Sequence, residues 1–111
     1  MKDIVIGIDI GGSITKYGFT DSEGNIFSEG STPTTEFDEA DDFFNHLNSI
    51  LKEAEQSLSF PKRLIGIGVG APNANYHTAC VEHATNLKWK GIVNISRQLQ
   101  KSFDVPVKVT N

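Results

Sequence analysis

Only one cysteine, Cys80, occurs in 111 residues, so no internal disulfide can form and a reducing, cytoplasmic setting is expected. Long hydrophobic runs are missing too. No segment approaches the roughly 18 apolar residues of a membrane helix, and the first residues do not read as a secretory signal. Basic residues are scarce: ten Lys and Arg stand against fourteen Asp and Glu, a net charge of −4. That balance argues against nucleic acid or an anionic membrane as partner, since phosphate neutralisation needs clustered Lys and Arg. The Asn94-Ile95-Ser96 sequon carries no weight without a secretory route. Neither an internal repeat nor a low-complexity linker is visible. With 38% hydrophobic and 22% charged residues the chain reads as one globular domain, able to bury roughly two-thirds of its unfolded surface.

The richest stretch runs from Ile4 to Lys16. Ile4, Ile6, Ile8 and Ile10 alternate, the period of a strand with one buried face. Asp9 stands on that strand, just before Gly11-Gly12, and Lys16 follows the turn. A glycine pair lets backbone N–H groups approach an anion closely. A hairpin that cradles nucleotide phosphates is therefore expected, with Asp9 addressing Mg²⁺ through water.

Ile14 to Thr20 continues as a second strand, Asp21 to Asn25 as a turn, and Ile26 to Ser31 as a third strand. Residues 3–31 would form an antiparallel meander, and Ser31 to Thr35 a polar linker leading out of it. Glu36, Asp38, Glu39, Asp41 and Asp42 place five acids within seven residues. They suit a metal cluster or a helix N-terminus, where the dipole favours acids. The second reading is preferred, because Phe43, Phe44, Leu47, Ile50, Leu51, Ala54 and Leu58 follow at helical spacing. His46 falls at the surface or boundary of this helix, and Pro61 closes it.

Leu64 to Gly70 reads as a strand apolar on both faces and therefore central. The loop Ala71-Pro72-Asn73-Ala74-Asn75-Tyr76 leaves its C-terminal end, where open α/β sheets bind ligands. His77, Cys80 and His83 suggest zinc, but three ligands without a fourth do not match a structural site. Trp89 is expected in the core. Ile92, Ile95, Leu99 and Phe103 mark a second helix, and Val105 to Val109 a last strand. The order β-β-β-α-β-α-β predicts an α/β domain, a mixed five-stranded sheet with helices on its faces.

Four segments carry a family resemblance. Gly7-Ile8-Asp9-Ile10-Gly11-Gly12-Ser13-Ile14-Thr15-Lys16 is similar to the first phosphate motif of the actin, Hsp70 and hexokinase superfamily. Gly68-Val69-Gly70-Ala71-Pro72-Asn73, Asn86-Leu87-Lys88-Trp89-Lys90-Gly91 and Pro106-Val107-Lys108-Val109-Thr110-Asn111 follow in the order found in ROK sugar kinases. The chain thus resembles the N-terminal lobe of a glucokinase-like ROK kinase over essentially its whole length. That resemblance implies an RNase H-like (actin-like ATPase) lobe and ATP-dependent phosphorylation of a hexose. It assigns Gly11, Gly12, Ser13 and Lys16 to the nucleotide phosphates, Asp9 to the Mg²⁺ ion, and Asn73, Asn86 and Asn111 to the sugar hydroxyls.

Two departures stand out. The family's loop glycine after proline is Asn73 here, and the sequence stops at Asn111, where the family continues with its general-base aspartate and a second lobe. The resemblance therefore implies a chain without turnover of its own, and cleft-facing surface that invites a homodimer. The donor, ATP or polyphosphate, and the identity of the sugar stay open. A sugar-sensing regulator of the same family is the alternative, although such proteins carry a helix-turn-helix before the first strand. A two-metal nuclease lacks its acids on the fourth strand, and a dinucleotide-binding turn would open a helix where Ile14-Thr15-Lys16 is strand-like. A non-catalytic ligand-binding fragment completes the set.

Overall fold

In a computed structural model of the chain, residues 1–82, 89 and 91–111 are described. Isoleucine alternation drives strand β1 (Lys2–Ile10), and Ile4, Ile6, Ile8 and Ile10 are all buried. It pairs antiparallel with β2 (Ile14–Thr20), which pairs antiparallel with β3 (Ile26–Pro33). The β2–β3 turn is locked by Asp21, whose carboxylate accepts from the backbone N–H groups of Glu23 and Asn25. Gly24 there has φ +85°, a conformation that glycine adopts without steric cost.

The third strand is longer than expected. Its ladder with β2 continues to Ile14 opposite Pro33, so Ser31, Thr32 and Pro33 belong to the sheet and not to a linker. Thr32 is buried, its hydroxyl 3.1 Å from His46 Nε2, while His46 itself is exposed as expected. Beyond the strand, Thr34 is also buried and shares a 2.7 Å hydroxyl contact with Thr15.

Helix α1 (Ala40–Ser57) buries Phe43, Phe44, Leu47, Asn48 and Leu51. Only Asp41 and Asp42 of the five acids lie in its first turn, and Glu39 occupies the N-cap without a side-chain cap bond. Strand β4 (Lys62–Gly70) runs parallel to β1, and β8 (Val107–Thr110) parallel to β4. The main sheet has the order β3-β2-β1-β4-β8. Strand β4 is interior, flanked by β1 and β8, but only Ile67 and Val69 on one side of it are buried. Its other side is formed by Gly66, Gly68 and Gly70, which have no side chain to cover.

The expected second helix is divided. Ile92 begins a short strand, β7 (Ile92–Asn94), paired with β6 (Cys80–Glu82), which also pairs with β5 (Ala74–Asn75). Helix α2 (Ile95–Gln100) starts only where Asn94 Oδ1 accepts from the Arg97 backbone N–H, and Phe103 packs after its end. Asn48 Nδ2 donates to the Gln98 carbonyl at 3.0 Å, and Gln98 Nε2 to Asp41 Oδ1 at 2.6 Å, joining the helices. Both helices contribute to one core on the isoleucine side of the sheet. Trp89 lies in that core as expected, its ring 4.9 Å from Phe43 and 5.4 Å from Phe44.

Candidate phosphate and sugar site at the sheet edge

Strands β1, β4 and β8 are parallel, so their C-terminal ends share one edge of the sheet. Loops leaving such an edge are where open α/β sheets bind ligands. Register places Lys16, Asp9, Gly70 and Thr110 side by side across β2, β1, β4 and β8. The Asp9 carboxylate is exposed, and among the described residues it makes no hydrogen bond or ion pair. Lys16, its cross-strand partner, is exposed and equally uncommitted. A carboxylate and an ammonium held on neighbouring strands but not paired are available to a ligand.

Gly11, Gly12 and Ser13 link β1 to β2 directly above this row. The Gly11 N–H donates to the Ile14 carbonyl at 3.0 Å, closing the turn. A Cβ at Gly11 would lie 2.6 Å from that carbonyl oxygen, a separation that real Cβ atoms essentially never show. Glycine is therefore demanded here by a close backbone approach. The turn is also anchored from the far side, because the Thr34 N–H donates to the Ser13 carbonyl at 2.8 Å. Behind it the Thr15–Thr34 hydroxyl contact fixes the same two segments. The hairpin is thus a preformed platform with an exposed tip.

Gly70 opens the second part of the edge. Its Cβ position lies 3.9 Å from Asp9 Oδ1, so an added methyl group would just touch the carboxylate. The Ala71 N–H donates to the Thr110 carbonyl at 2.9 Å, tying the loop after β4 to the end of β8. Asn73 has φ +55°. Glycine adopts that left-handed conformation freely, and asparagine is one of the few other residues that tolerate it. The departure at this position consequently keeps a glycine-compatible backbone and adds an amide side chain. Asn111, exposed, directly follows β8.

Asp9, Gly11, Gly12, Ser13, Lys16, Asn73 and Asn111 therefore gather at one sheet edge. Asn86 falls outside the described residues, as does His83 of the zinc reading. His77 is exposed, Cys80 Sγ lies 3.3 Å from the Thr78 carbonyl, and no three metal-type side chains converge among the described residues. Sequence reasoning did not anticipate the two buried threonines, Thr15 and Thr34, that brace the hairpin. A separate depression of about 450 Å³ lies between the start of α1 and α2, lined by Glu39, Asp41, Trp89, Arg97 and Lys101. No residue of the hairpin row lines it. The hairpin edge itself is open, as one wall of a cleft is.

Residues 5–111 match the model of the ROK family. The chain belongs to the ROK family. It is 29% identical over 108 residues to a glucokinase of Halalkalibacterium halodurans, covering 96% of this chain and 32% of that protein. The crystal structure of a ROK family glucokinase from Streptomyces griseus in complex with glucose and AMPPNP superposes with a TM-score of 0.79 at 25% identity. That match covers 97% of this chain and 33% of the other. A ROK family transcriptional regulator homologous to the E. coli MLC protein gives a TM-score of 0.82 at 16% identity, over 100% of this chain and 28% of its own, a likeness of fold alone. The chain spans about a third of the length of the relatives it matches.

Proposed function

We propose that residues 1–111 form the phosphate-facing lobe of a sugar kinase that transfers the γ-phosphoryl group of ATP to a hexose hydroxyl. The observation that carries this reading is the convergence, at one sheet edge, of an uncommitted carboxylate, an uncommitted lysine and a glycine turn. Phosphoryl transfer needs positioning and charge neutralisation more than covalent chemistry, and these residue types supply both. The glucokinase relatives, one of them holding glucose and AMPPNP, support the choice of substrates.

In this reading the N–H groups of Gly11, Gly12 and Ser13 meet the phosphates, and Lys16 offsets their charge. Asn73, Asn86 and Asn111 donate to and accept from the sugar hydroxyls. Asp9 suits a magnesium ion held through water, because Mg²⁺ commonly takes one or two carboxylates together with substrate phosphates. When bound, the ion would neutralise charge on the phosphate oxygens. Asp9 is the sole carboxylate of its row, so no second one is at hand to take the hydroxyl proton. We assign that base, and the opposite wall of the cleft, to the two-thirds of the relatives that this chain does not span. The setting is the cytoplasm, where ATP and a free Cys80 thiol are both at home, and no described helix is long and apolar enough to cross a membrane.

Phosphorus NMR of Mg²⁺-ATP and glucose titrated with the purified chain tests this reading. The phosphate resonances should shift with added chain, and no sugar phosphate should accumulate. Unmoved resonances at millimolar chain would remove the phosphate role, and sugar phosphate formation would remove the claim of catalytic incompleteness.

A further inference from the structure

The segment that leads from β3 into α1 lies behind the glycine turn, and helix α1 holds that segment from its other side. Thr32 Oγ1 is 3.1 Å from His46 Nε2 on the helix. The Phe37 ring rests against His46 and Phe43, with centroids 5.2 Å and 6.0 Å away. The Phe37 N–H in turn donates to the Thr34 carbonyl at 3.4 Å. Residues on both sides of Thr34 are therefore seated on α1, which leaves Thr34 little freedom to move.

From this seat Thr34 reaches the hairpin twice. Its N–H fixes the Ser13 carbonyl at 2.8 Å, while the Gly11 N–H is fixed on the Ile14 carbonyl at 3.0 Å. Between those two anchors lie two planar peptides, which carry the N–H groups of Gly12 and Ser13. The anchors set the directions of both.

The second contact is the hydroxyl pair, Thr34 Oγ1 with Thr15 Oγ1 at 2.7 Å, and both threonines are buried. Two apolar groups in van der Waals contact stay about 3.5–4.0 Å apart. The hydroxyl pair therefore holds the start of β2 about 1 Å closer to Thr34 than apolar side chains of the same shape would allow. Pushed apart by that amount, the Thr34 N–H would lose its bond to Ser13, and the Gly12 and Ser13 N–H groups would turn away from their present directions.

We infer that Thr34 is a positioning residue for the nucleotide phosphates. It acts through its hydroxyl on Thr15 and through its N–H on Ser13, and being buried it does not touch the ligand. Through Thr32, Phe37 and His46 it ties the aim of the turn to the position of α1. The inference rests on the reading of the hairpin as a phosphate site, and adds to it the residues that direct the donors.

Isothermal titration of the purified chain with Mg²⁺-ATP and with metal-free ATP tests it, on samples that circular dichroism shows to be folded. Thr34→Val keeps the shape and the backbone N–H but removes the hydroxyl, and Thr15→Val removes the same bond from the strand side. Each should lower affinity about tenfold, since displacing aligned groups by about 1 Å is costly. The loss should be equal for the two forms of ATP, because the pair acts on the turn and not on the metal. Thr34→Ser keeps the hydroxyl and should bind within about threefold of wild type. A purely structural role would lower the urea midpoints of the valine variants and leave the affinity of the folded chains unchanged, a result that overturns the inference. An equal loss in Thr34→Ser, which would make packing the cause, or a loss confined to Mg²⁺-ATP would do the same. If one valine variant unfolds, the other reads the same bond; unfolding of both would make the pair a determinant of the fold and overturn the inference equally. A wild-type chain that binds neither form of ATP would remove the phosphate reading itself, and the positioning role with it.

Discussion

Among individual residues, Asp21 has the strongest electrostatic commitment. The Asn25 side-chain amide, donating at 3.0 Å, does most to hold its carboxyl at about 2 in place of 3.8. The Asn25 N–H, the Lys2 ammonium at 3.2 Å and the Glu23 N–H act in the same direction, against the effect of burial. A lowered folded-state pKa adds stability above the unfolded value, and that stability is lost as pH falls through the folded one. Between about pH 4 and pH 2, wild type should lose stability more steeply than Asp21→Asn, as urea midpoints across this range would register; parallel profiles would contradict the lock. Two glycines provide a second contrast. Gly11→Ala drives a Cβ against the Ile14 carbonyl and should cost about 1–3 kcal/mol, whereas Gly68→Ala enters open space and should stay within about 0.5 kcal/mol. Chemical denaturation of the pair gives the comparison, and equal effects would contradict the turn geometry. In sequence the two glycines look alike. What separates them is a backbone oxygen brought close by the hairpin, which composition and spacing do not encode.

Secondary elements were legible where their period was long and undisturbed. The isoleucine alternation of β1 and the apolar face of α1 are visible in the sequence because each repeats over several turns or residue pairs. Strand β3 extends further than its composition suggests, since Thr32 and Pro33 owe their strand geometry to pairing with Thr15 and Ile14. Likewise Ile92 to Phe103 has helical spacing, yet Ile92 to Asn94 pairs with β6 and Asn94 caps the helix only afterwards. Tertiary pairing overrode a local period in both places. The apolar run of β4 pointed to a strand with a neighbour on each side, as found between β1 and β8, but said nothing of which face the helices would choose. Helix α1 is the main cover of the isoleucine face, with Phe43 and Phe44 fully buried against Trp89. Phe44→Ala should therefore cost about 3–5 kcal/mol in a thermal or urea unfolding experiment. A loss below about 1 kcal/mol would mean that α1 is not seated as described.

For the molecule as a whole, the site was more legible than the boundary of its function. Asp9, the Gly11-Gly12 turn and Lys16 stand out because a carboxylate and a glycine pair interrupt an otherwise apolar strand. Their union with Asn73 and Asn111 depends on parallel pairing of β1, β4 and β8, three segments distant in sequence. In the proposed reading this edge is one wall of a cleft, and the hairpin that forms it is braced from behind by Thr15 and Thr34. Its central element is the exposed, unpaired Asp9. Isothermal titration of the chain with Mg²⁺-ATP and with metal-free ATP, in wild type and Asp9→Ala, probes that element directly. If Asp9 serves the metal, the variant loses about tenfold or more in Mg²⁺-ATP affinity, about 1.4 kcal/mol, while metal-free ATP binds the two proteins alike. Equal Mg²⁺-ATP affinity in wild type and variant would contradict the role given to Asp9, and with it the reading of the hairpin as a phosphate and metal site.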